Sequence, residues 1–530
     1  MSRKPTRSTP VIALLPLDER PACAALPVQV AAVAGVDVRT PPPASMPALR
    51  TAGDADGLGD WLERASSDAD AAVVSLETLG HGGLIASRTD GIDAARALHR
   101  WSPVRRIAAH GVPVHAVTLV TRTPDSADAM EEPDYWDPHG PGLHRLSAAL
   151  HRAQESAQTC PVERADARAG VPDAVRADFL GRRLRNHTLN LAALGLAAEG
   201  VLDTLVIGAD DTAPWGLATA ELTELRRWSE RLEMAGRVSV RPGADEATTT
   251  LVARTLGRLL GGGPVSVRVE AVDPEGLARV APYENLPLGV TVDGQIAACG
   301  ARVTDSTGAD LRLLVHTPDG AGDWAVAPPA HRAPDAVARA RTVAERAVEL
   351  LDTGHAVAVA DCAQPNGADP LLAEALVDVG AAHRLTAYAG WNTAGNTVGT
   401  ALAHGTTAVM ARRAGTFDEA AHRALLAHRF TEDWGYMTRV RASARACLNS
   451  VLGRHDHVPD GHPVLDAIAE QLGEHLASLP EFGLAVDPAS VRLPWRRTFE
   501  VDFRLTPAAV SAAHRDVRDT HRTGESKEQR

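Results

Sequence analysis

Short apolar runs rich in valine, isoleucine and leucine alternate along the chain with longer amphipathic segments. An apolar run of about four to eight residues predicts a buried strand, and apolar residues at helical spacing predict a helix packed against it. The runs that predict strands are VIALLP (11–16), VDVRTP (36–41), AAVVSLE (71–77), VHAVTLVTR (114–122), TLVIGADD (204–211), RVSVRPGADE (237–246), VSVRVE (265–270), LRLLVHTP (311–318), AVAVADCA (356–363) and LTAYAG (385–390). The alternation is typical of parallel βα units, so an α/β fold is expected, either doubly wound or barrel-like.

The same pattern divides the chain into regions. The glycine run GGGP at 261–264 predicts a linker, and the pattern beyond about residue 418 is mainly helical. The predicted regions are a disordered tail (1–9), an N-terminal α/β domain with acidic strand ends (10–260), a second, smaller α/β domain (261–410), a helical region with a closing strand or hairpin at 491–505 (411–510) and a charged tail (511–530). A single barrel, in which the first six strands join later ones, is the alternative.

Polar and charged side chains follow most of the predicted strands, at the point where each strand ends. Parallel strands align their carboxyl ends along one edge of a sheet, so these side chains are expected to form one polar site. An acidic residue after a strand can also cap the next helix, and capping is the alternative role for each acid taken singly. The predicted site residues at the strand ends are Asp18, Glu19, Arg20, Glu77, Arg88, Asp210, Asp211, Asp245, Asp361, Asn366, Trp391, Asn392 and Asn396.

Asp210 and Asp211 are adjacent carboxylates in the stretch IGADDTAPWG. Two nearby carboxylates raise the pKa of one and leave the other ionised, which places a proton donor beside a charge stabiliser. Glycosidases use such a pair, and in the substrate-assisted variant the second acid orients an acetamido group. These aspartates are therefore the predicted acid and stabiliser, with Glu77 or Asp18 as the candidate base. The alternative is a divalent metal ion, which prefers oxygen ligands, bound by Asp18, Asp245 and the same pair.

Aromatic residues make up only 4% of the chain, so their positions are informative. Trp391 lies in the turn GWNTAGN, and Tyr135 and Trp136 lie in the loop EEPDYWDPHG after the fourth strand. Long loops between regular elements often carry function. Aromatic faces beside asparagine, aspartate and arginine side chains suit sugar rings, which have apolar faces and polar edges. Packing between a helix and the sheet is the alternative for each tryptophan, and it is favoured for Trp215.

Charge and composition exclude several classes of function. The net charge of −13 argues against a nucleic-acid partner, because phosphate backbones bind to basic faces. No apolar run is long enough to span a membrane, and the first residues continue into a strand rather than a signal peptide. Five scattered cysteines without a CxxC pair fit a reducing compartment, so a cytoplasmic location is expected.

The lysines and histidines of the chain narrow the possible cofactors. Lys4 and Lys527 are the only lysines, and both lie in the predicted tails. A pyridoxal-phosphate enzyme, a Schiff-base aldolase and a Walker A nucleotide site each require a lysine inside the fold, so all three are excluded. The histidine-rich stretch HDHVPDGH (455–462) is interpreted as a solvated loop between helices, because its spacing matches no zinc signature. Neither a cofactor nor a bound metal ion is expected.

Several strings along the chain carry a resemblance to a known family. They are PLDERP, GGLIASR, GADDTAPWG, GADE, PNGAD, YAGWNTAGNTVGTALA and RFTEDWGY. Together they resemble the bacterial domain of unknown function family 4127, from about residue 10 to about residue 505. The resemblance implies that these strings belong to one full-length unit, and it implies no catalytic residue. Trp215 and His81 stand where the family has tyrosine, a difference that matters if those rings contact substrate. The aspartate pair followed by Trp-Asn is also similar to the acid pair of hexosaminidase-type glycosidases.

The sequence therefore favours an enzyme that hydrolyses a glycosidic bond in a small carbohydrate-like substrate. The arginine, asparagine and aromatic residues named above are expected to position that substrate. Two alternatives remain, a metal-dependent hydrolase with the same aspartates as ligands and a non-catalytic sugar-binding protein. The sugar-binding protein would keep Trp391 and the asparagines but tolerate the loss of either aspartate.

Overall fold

The computed structural model describes residues 9–155, 170–320, 322–329 and 332–508. It confirms the α/β fold of parallel βα units with a helical region toward the C-terminal end. The tails predicted at 1–9 and 511–530 lie outside the described residues, apart from Thr9. The strands are β1 (Val11–Leu15), β2 (Asp37–Arg39), β3 (Ala71–Ser75), β4 (Val114–Val120), β5 (Thr204–Ala209), β6 (Val238–Pro242), β7 (Ser266–Glu270), β8 (Arg302–Val303), β9 (Leu311–His316), β10 (Val357–Asp361), β11 (Ala387–Ala389), β12 (Leu484–Val486) and β13 (Leu505–Pro507).

The helices fill the connections between the strands and most of the chain after β11. They are α1 (Pro21–Val33), α2 (Ala55–Ser66), α3 (Leu76–His81), α4 (Leu84–Thr89), α5 (Ala94–Arg100), α6 (Ser102–Ala109), α7 (Trp136–Glu155), α8 (Asp173–Ala198), α9 (Leu217–Arg231), α10 (Ala247–Leu260), α11 (Leu288–Ala298), α12 (Ala336–Asp352), α13 (Pro370–Asp378), α14 (Ala394–Ala414), α15 (Glu419–Arg429), α16 (Arg441–Cys447) and α17 (Val464–Ala477). A π-helical segment, Phe430–Val440, joins α15 to α16.

The strands form two separate parallel sheets, so the single-barrel alternative is wrong. The first sheet has the order β2-β1-β3-β4-β5-β6, and the second has the order β11-β10-β9-β7-β8. In the first sheet the chain moves outward from β1 to β2 and then returns to the other side of β1 with β3, as in doubly wound folds. The carboxyl ends of β1, β3, β4, β5 and β6 therefore share one edge, where such folds bind ligands.

One hydrophobic core joins the inner faces of the two sheets. Side chains on a strand point to alternate faces, so Val73 of β3 faces the inner core while Val74 faces the outer helices. On β9, Leu313 faces the same inner core while Leu314 faces the opposite side. The boundary predicted at residue 261 falls at the connection between α10 and β7, where three successive glycines have positive φ. The two sheets it connects thus share a packed interior.

The C-terminal segment contacts residues that follow β1, where Trp495 donates to Glu19 and Arg20 lies 3.4 Å from Glu500. Strand β12 pairs antiparallel with β13, and of the segment 491–505, predicted as a closing strand or hairpin, only Leu505 belongs to either strand. Within that segment Arg492 and Asp502 form a single antiparallel bridge between turns. Tyr436 and Arg441 both donate hydrogen bonds to the carbonyl of Thr498, at 2.8 and 2.9 Å, which fastens this segment to the helical region.

Helix α14 lies in the inner core and is enclosed on all sides. Every residue from Ala394 to Ala411 is buried, as expected for a helix packed between two layers. A Cβ added at Gly399 would lie 2.7 Å from Oε1 of Gln295 and closer still to the side chain of Glu246. Glycine at this position is therefore required by the close approach of α14 to α10 and α11.

Gly399→Ala is expected to lower the free energy of unfolding by about 1–3 kcal/mol, because the methyl group overpacks a closed interface. Gly181→Ala is the matched control, since Gly181 lies within α8 and an added Cβ would meet nothing within 4 Å. The control should gain about 0.5–1 kcal/mol from helix propensity. Urea unfolding of both variants measures the difference, and equal stability of the two would contradict the close approach.

Candidate functional site

A cavity of about 530 Å³ lies at the carboxyl ends of the first sheet. Its wall includes Arg20 after β1, Arg88 on α4 after β3, and Arg122 after β4. The second sheet contributes Asn366 after β10 and Asn392 after β11. Of the residues predicted from the strand ends, the cavity brings together Arg20, Arg88, Asp210, Asp211, Asp245, Asn366 and Asn392. Its volume is in the range of small-molecule binding sites, about 300–1,000 Å³.

Asp210 and Asp211 both reach this cavity because strand β5 ends just before them. The backbone N–H of Asp210 still donates to the carbonyl of Val120 on β4, at 3.1 Å. Asp211 then turns the chain with φ of +29°, a conformation that residues other than glycine rarely adopt. In a continued strand the two side chains would point to opposite faces, so this turn is what places both on one wall.

Each of the two carboxylates is paired with a different arginine. Arg88 Nη2 lies 2.5 Å from Asp210 Oδ2, and Arg122 Nη1 lies 3.0 Å from Asp211 Oδ2. The side chain of Asp210 is 9% exposed, whereas that of Asp211 is 31% exposed and faces the cavity. Asp211 is therefore the more accessible of the two carboxyl groups to a molecule in the cavity.

The pKa values of the two carboxyl groups are displaced in opposite directions. Burial disfavours the charged form of Asp210, but the positive charges of Arg88 and Arg122 outweigh it, so the pKa lies below its ordinary value. Burial raises the pKa of Asp211, Arg122 opposes this in part, and the charge of Asp210 raises it further. Asp210 is thus the ionised member, and Asp211 keeps its proton to a higher pH.

The loop after β4 fixes both arginines with a second pair of carboxylates. Glu131 and Glu132 lie 3.3 and 3.0 Å from Arg88, and 2.9 and 2.8 Å from Arg122. All four side chains are largely buried, and each glutamate contacts both arginines, so each charge has more than one partner of opposite sign. The sequence singled out this loop for Tyr135 and Trp136, but its glutamates are the residues that shape the site.

Asp245 and Arg20 form a second charged group on the cavity wall. Arg20 Nη2 lies 2.6 Å from Asp245 Oδ1, and Asn392 Nδ2 donates to Asp245 Oδ2 at 2.9 Å. Burial raises the pKa of Asp245 to about 7, although the charge of Arg20 opposes the shift. The backbone N–H of Asp245 donates to Oδ1 of Asn396 at 3.1 Å. Asn396 therefore positions Asp245 and does not itself line the cavity.

Asp18 and Glu19 lie behind Arg20 and do not line the cavity, contrary to expectation. The carboxylate of Asp18 accepts hydrogen bonds from Arg20 Nε at 3.0 Å and Nη2 at 2.8 Å. Glu19 accepts from the indole Nε1 of Trp495 at 2.5 Å, and burial raises its pKa to about 7. Asp18 thus orients Arg20, and Glu19 orients Trp495. The ring centroid of Trp495 lies 4.5 Å from the guanidinium carbon of Arg20.

Glu77 is outside the cavity, so the expectation that it joins Asp210 in one acidic cluster is wrong. Its carboxylate accepts from the backbone N–H of Leu119 at 2.7 Å and from the hydroxyl of Thr118 at 2.9 Å. Burial raises its pKa to about 7. Glu77 lines a separate space of about 10 Å³, too small for a substrate. It joins the start of α3 to β4 and has a structural role.

Asp361 is also absent from the cavity wall. It is fully buried and accepts from the backbone N–H of Asp369 at 2.7 Å and from the hydroxyl of Tyr388 at 3.1 Å. Asp369 in turn caps the first turn of α13 and contacts His316 at 2.9 Å. These contacts tie the ends of β9, β10 and β11 together, which is a structural role.

The aromatic residues near the site differ from those expected. Trp391 is 6% exposed and packs against Phe499, with ring centroids 5.9 Å apart, and Trp136 packs against Phe179 at 6.1 Å. Tyr135 belongs to the same small cluster as Trp136. The rings that line the cavity include Phe499, Tyr283 and Trp215, and Trp215 is 42% exposed. The packing role favoured for Trp215 belongs instead to Trp391.

Distant segments of the chain complete the cavity. Arg497 lies over the rings of Trp495 and Phe499, at 4.5 and 5.0 Å, and forms an ion pair with Glu500 at 2.6 Å. His455, from the stretch interpreted as a solvated loop, lines the cavity with Nε2 at 3.2 Å from Glu131 Oε1. The remaining arginines on the wall are Arg441, Arg445 and Arg454. The signals in the sequence for this contribution were the charged residues inside the segment 491–505, predicted as a closing strand or hairpin, and the histidine-rich stretch 455–462.

Four of the nine non-glycine residues with positive φ in the described parts of the chain line the cavity. Asp211, Tyr283, Asn366 and Asn392 all line it and all have positive φ, with values of 29°, 65°, 64° and 65°. Asparagine tolerates this conformation better than most residues, whereas tyrosine does not. Strained residues that surrounding contacts hold in place occur preferentially at functional sites.

Comparison with known proteins identifies one family. The model of a family described as a protein of unknown function, DUF4127, matches residues 12–504 and confirms the resemblance found in the sequence. No curated protein and no solved structure matches the chain. None of the helices in the described parts of the chain is both long and apolar enough to cross a membrane.

Proposed function

We propose that this chain, which belongs to the DUF4127 family, hydrolyses a glycosidic bond. The observation that carries the proposal is a pair of adjacent carboxyl groups in one cavity with oppositely displaced pKa values. A carboxylic acid beside a carboxylate is the equipment of glycoside hydrolysis. The exposed ring of Trp215 and the rings of Tyr283 and Phe499 offer apolar faces for a sugar, and Asn366 and Asn392 offer hydrogen bonds to its edges.

In the proposed reaction Asp211 protonates the glycosidic oxygen, and the bond from that oxygen to the anomeric carbon breaks. The carboxylate of Asp210 stabilises the positive charge that develops on the ring, or holds the N–H of an acetamido group whose oxygen attacks the anomeric carbon. Water then attacks the same carbon, and the ionised Asp211 takes the proton from the water. Asp211 serves as both acid and base because neither Glu77 nor Asp18 lines the cavity.

The environment of the aspartates favours this chemistry over metal-dependent hydrolysis. Asp18 and Asp245 contact Arg20, Asp210 contacts Arg88, and Asp211 contacts Arg122, so guanidinium groups stand where a cation would bind. In the described parts of the chain, no group of three or more carboxylates, histidines or cysteines is arranged to hold a metal ion.

The test is the release of 4-nitrophenol from a panel of α- and β-linked 4-nitrophenyl monoglycosides, including 2-acetamido sugars and a glucuronide. Turnover by the wild-type protein that persists after dialysis against EDTA is the expected result. Turnover that is lost in EDTA and restored by magnesium, calcium or manganese would replace the proposal with a metal-dependent hydrolase. Binding of sugars without turnover would replace it with a sugar-binding protein.

The plot of kcat/KM against pH is expected to be bell-shaped. Asp211 acts as an acid, so kcat/KM falls as pH rises through its pKa, which lies above the ordinary value for aspartate. Asp210 acts in its charged form, so the rate falls on the acidic side only as pH drops through its lowered pKa. Arg122→Gln removes a charge that lowers the pKa of Asp211, so the basic limb should move to higher pH.

Arg454→Gln is the matched control for that shift. Arg454 lines the same cavity, but its ion pair is with Asp137, at 2.9 Å, and not with either aspartate of the pair. It should move the basic limb less than Arg122→Gln does. A basic limb that stays in place, or moves to lower pH, in Arg122→Gln would mean that Asp211 is not the proton donor.

A further inference from the structure

A second cavity adjoins the first on the side of the second sheet. It has a volume of about 1,000 Å³, is more open to solvent, and shares Thr212, Ala213 and Tyr283 with the first cavity. Its floor lies beyond the carboxyl ends of β7 and β9, where Val272 and Pro318 line it. The two cavities therefore meet directly after Asp211, which precedes Thr212 in the chain.

Tyr283 stands at the junction and is held there from both ends. Its backbone carbonyl accepts from the N–H of Thr212 at 2.7 Å, and its hydroxyl donates to Asp323. Asp323 also accepts from Asn366 Nδ2, at 2.9 Å. These contacts with chain segments that line the first cavity hold Tyr283 at its strained φ of 65°. Tyr283 as a whole is 40% exposed.

The wall of the second cavity is rich in exposed apolar side chains. Val272 and Val280 are 38% and 42% exposed, and Pro214, Pro274 and Pro282 lie beside them. The charged groups there are largely paired with one another, as in the 2.8 Å contact between Arg279 and Asp273. A group of exposed apolar side chains next to a polar cavity is typical of a binding surface. Apolar patches beside tyrosine suit the C–H faces of sugar rings more than they suit an ion.

We propose that the second cavity binds the part of the substrate on the far side of the scissile bond, so that the natural substrate is an oligosaccharide. The proposal rests on the proposed function for its catalytic centre. The two cavities are continuous, so an oligosaccharide that crosses the junction between them places one glycosidic bond beside Asp211. This continuity identifies the occupant of the second cavity. The sugar on one side of that bond would lie in the first cavity, and the following units would lie over Tyr283, Val280 and Val272.

The experiment measures how affinity depends on chain length. Calorimetry compares mono-, di-, tri- and tetrasaccharides of β-1,4-linked glucose, xylose and N-acetylglucosamine, and of the sugar that the glycoside panel selects, on the full-length protein. For at least one of these series, affinity is expected to rise at least tenfold from the monosaccharide to the trisaccharide. Val280→Lys places a charge on the apolar wall of the second cavity and should abolish that rise. Val272→Lys, on the same wall, is the second variant in case the first does not fold.

Val303→Lys is the matched control, because Val303 is 49% exposed on the edge strand β8 and lines neither cavity. It should keep the length dependence, and thermal melts of all variants check folding. Equal affinity for all lengths in the wild type, no binding of any series, or an unchanged rise in both Val280→Lys and Val272→Lys would overturn the second cavity as a sugar site. A length-dependent affinity without turnover on the glycoside panel would keep this inference and overturn the hydrolytic function instead.

Discussion

Asp211→Asn is expected to lower the turnover of a natural glycoside by about 10²–10⁴-fold, the usual contribution of a general acid. Asparagine has the size and shape of aspartate, so the packing of the turn is retained while the transferable proton is lost. Arg122 keeps its contacts with Glu131 and Glu132 in this variant, so no buried charge is left without a partner. The affinity for the sugar and the melting temperature should therefore change little.

The loss in Asp211→Asn should depend on the leaving group. A 4-nitrophenolate leaves without protonation, so the variant is expected to retain much more activity on the activated glycoside than on the natural substrate. Steady-state kinetics on both substrates measures the ratio. Asp352→Asn is the control, because Asp352 is 59% exposed and pairs with Arg384 away from the cavity. Equal losses on the two substrates would remove Asp211 from the role of acid.

Asp210→Asn is expected to lower turnover by about 10²–10³-fold on both kinds of substrate, because it removes charge stabilisation in an enclosed site. The leaving group makes little difference here, since stabilisation of the ring does not depend on which group departs. Arg88 retains Glu131 and Glu132 as partners, so the variant should fold. Equal melting temperatures of wild type and variant provide the folding control.

A pH profile separates the role of Asp210 from a purely structural one. The charge of Asp210 raises the pKa of Asp211, so Asp210→Asn should move the basic limb of the rate profile to lower pH. Arg122→Gln should move the same limb in the opposite direction. Wild-type turnover in Asp210→Asn, or a basic limb that does not move, would mean that the two carboxyl groups do not act as a pair.

These variants also bear on the other members of DUF4127, whose family description assigns no function. The site combines residues from both sheets with Arg497 and Phe499 from the C-terminal segment. A truncated chain that ends before residue 491 would lack this wall of the cavity. Functional assays therefore require a chain that includes Arg497 and Phe499.

The sequence predicted most of the fold because strands of a parallel sheet are continuous apolar runs. Each of the ten runs contains a strand, although several predictions extend past its carboxyl end, as in 204–211 for β5 at Thr204–Ala209. At β5 the excess residues, Asp210 and Asp211, are those that turn away into the cavity. Strands β8 and β12 lie outside every predicted run, and β13 overlaps the predicted closing segment 491–505 only at Leu505.

Part of the site could also be predicted from the sequence, because its residues follow predicted strands. Arg20, Asp210, Asp211 and Asp245 follow closely after strands of one sheet, and Arg88 lies in the helical connection after β3. Parallel strands align such residues at a shared edge. Glu77 occupies an equivalent place in the sequence. The packing of α3 turns its carboxylate toward Leu119 on β4, and no property of the local sequence distinguishes it from Asp210.

The sequence by itself determined that the chain is an α/β protein with acidic residues at the edge of a parallel sheet, because periodicity and strand ends are local properties. Only the tertiary structure decided between a barrel and two sheets, since both have the same alternation of strands and helices. It alone decided that Trp391 is buried while Trp215 faces the cavity, and that Arg497 lies beside the first sheet. These outcomes depend on contacts between residues far apart in the chain, and such contacts are set by how whole layers pack rather than by neighbouring residues.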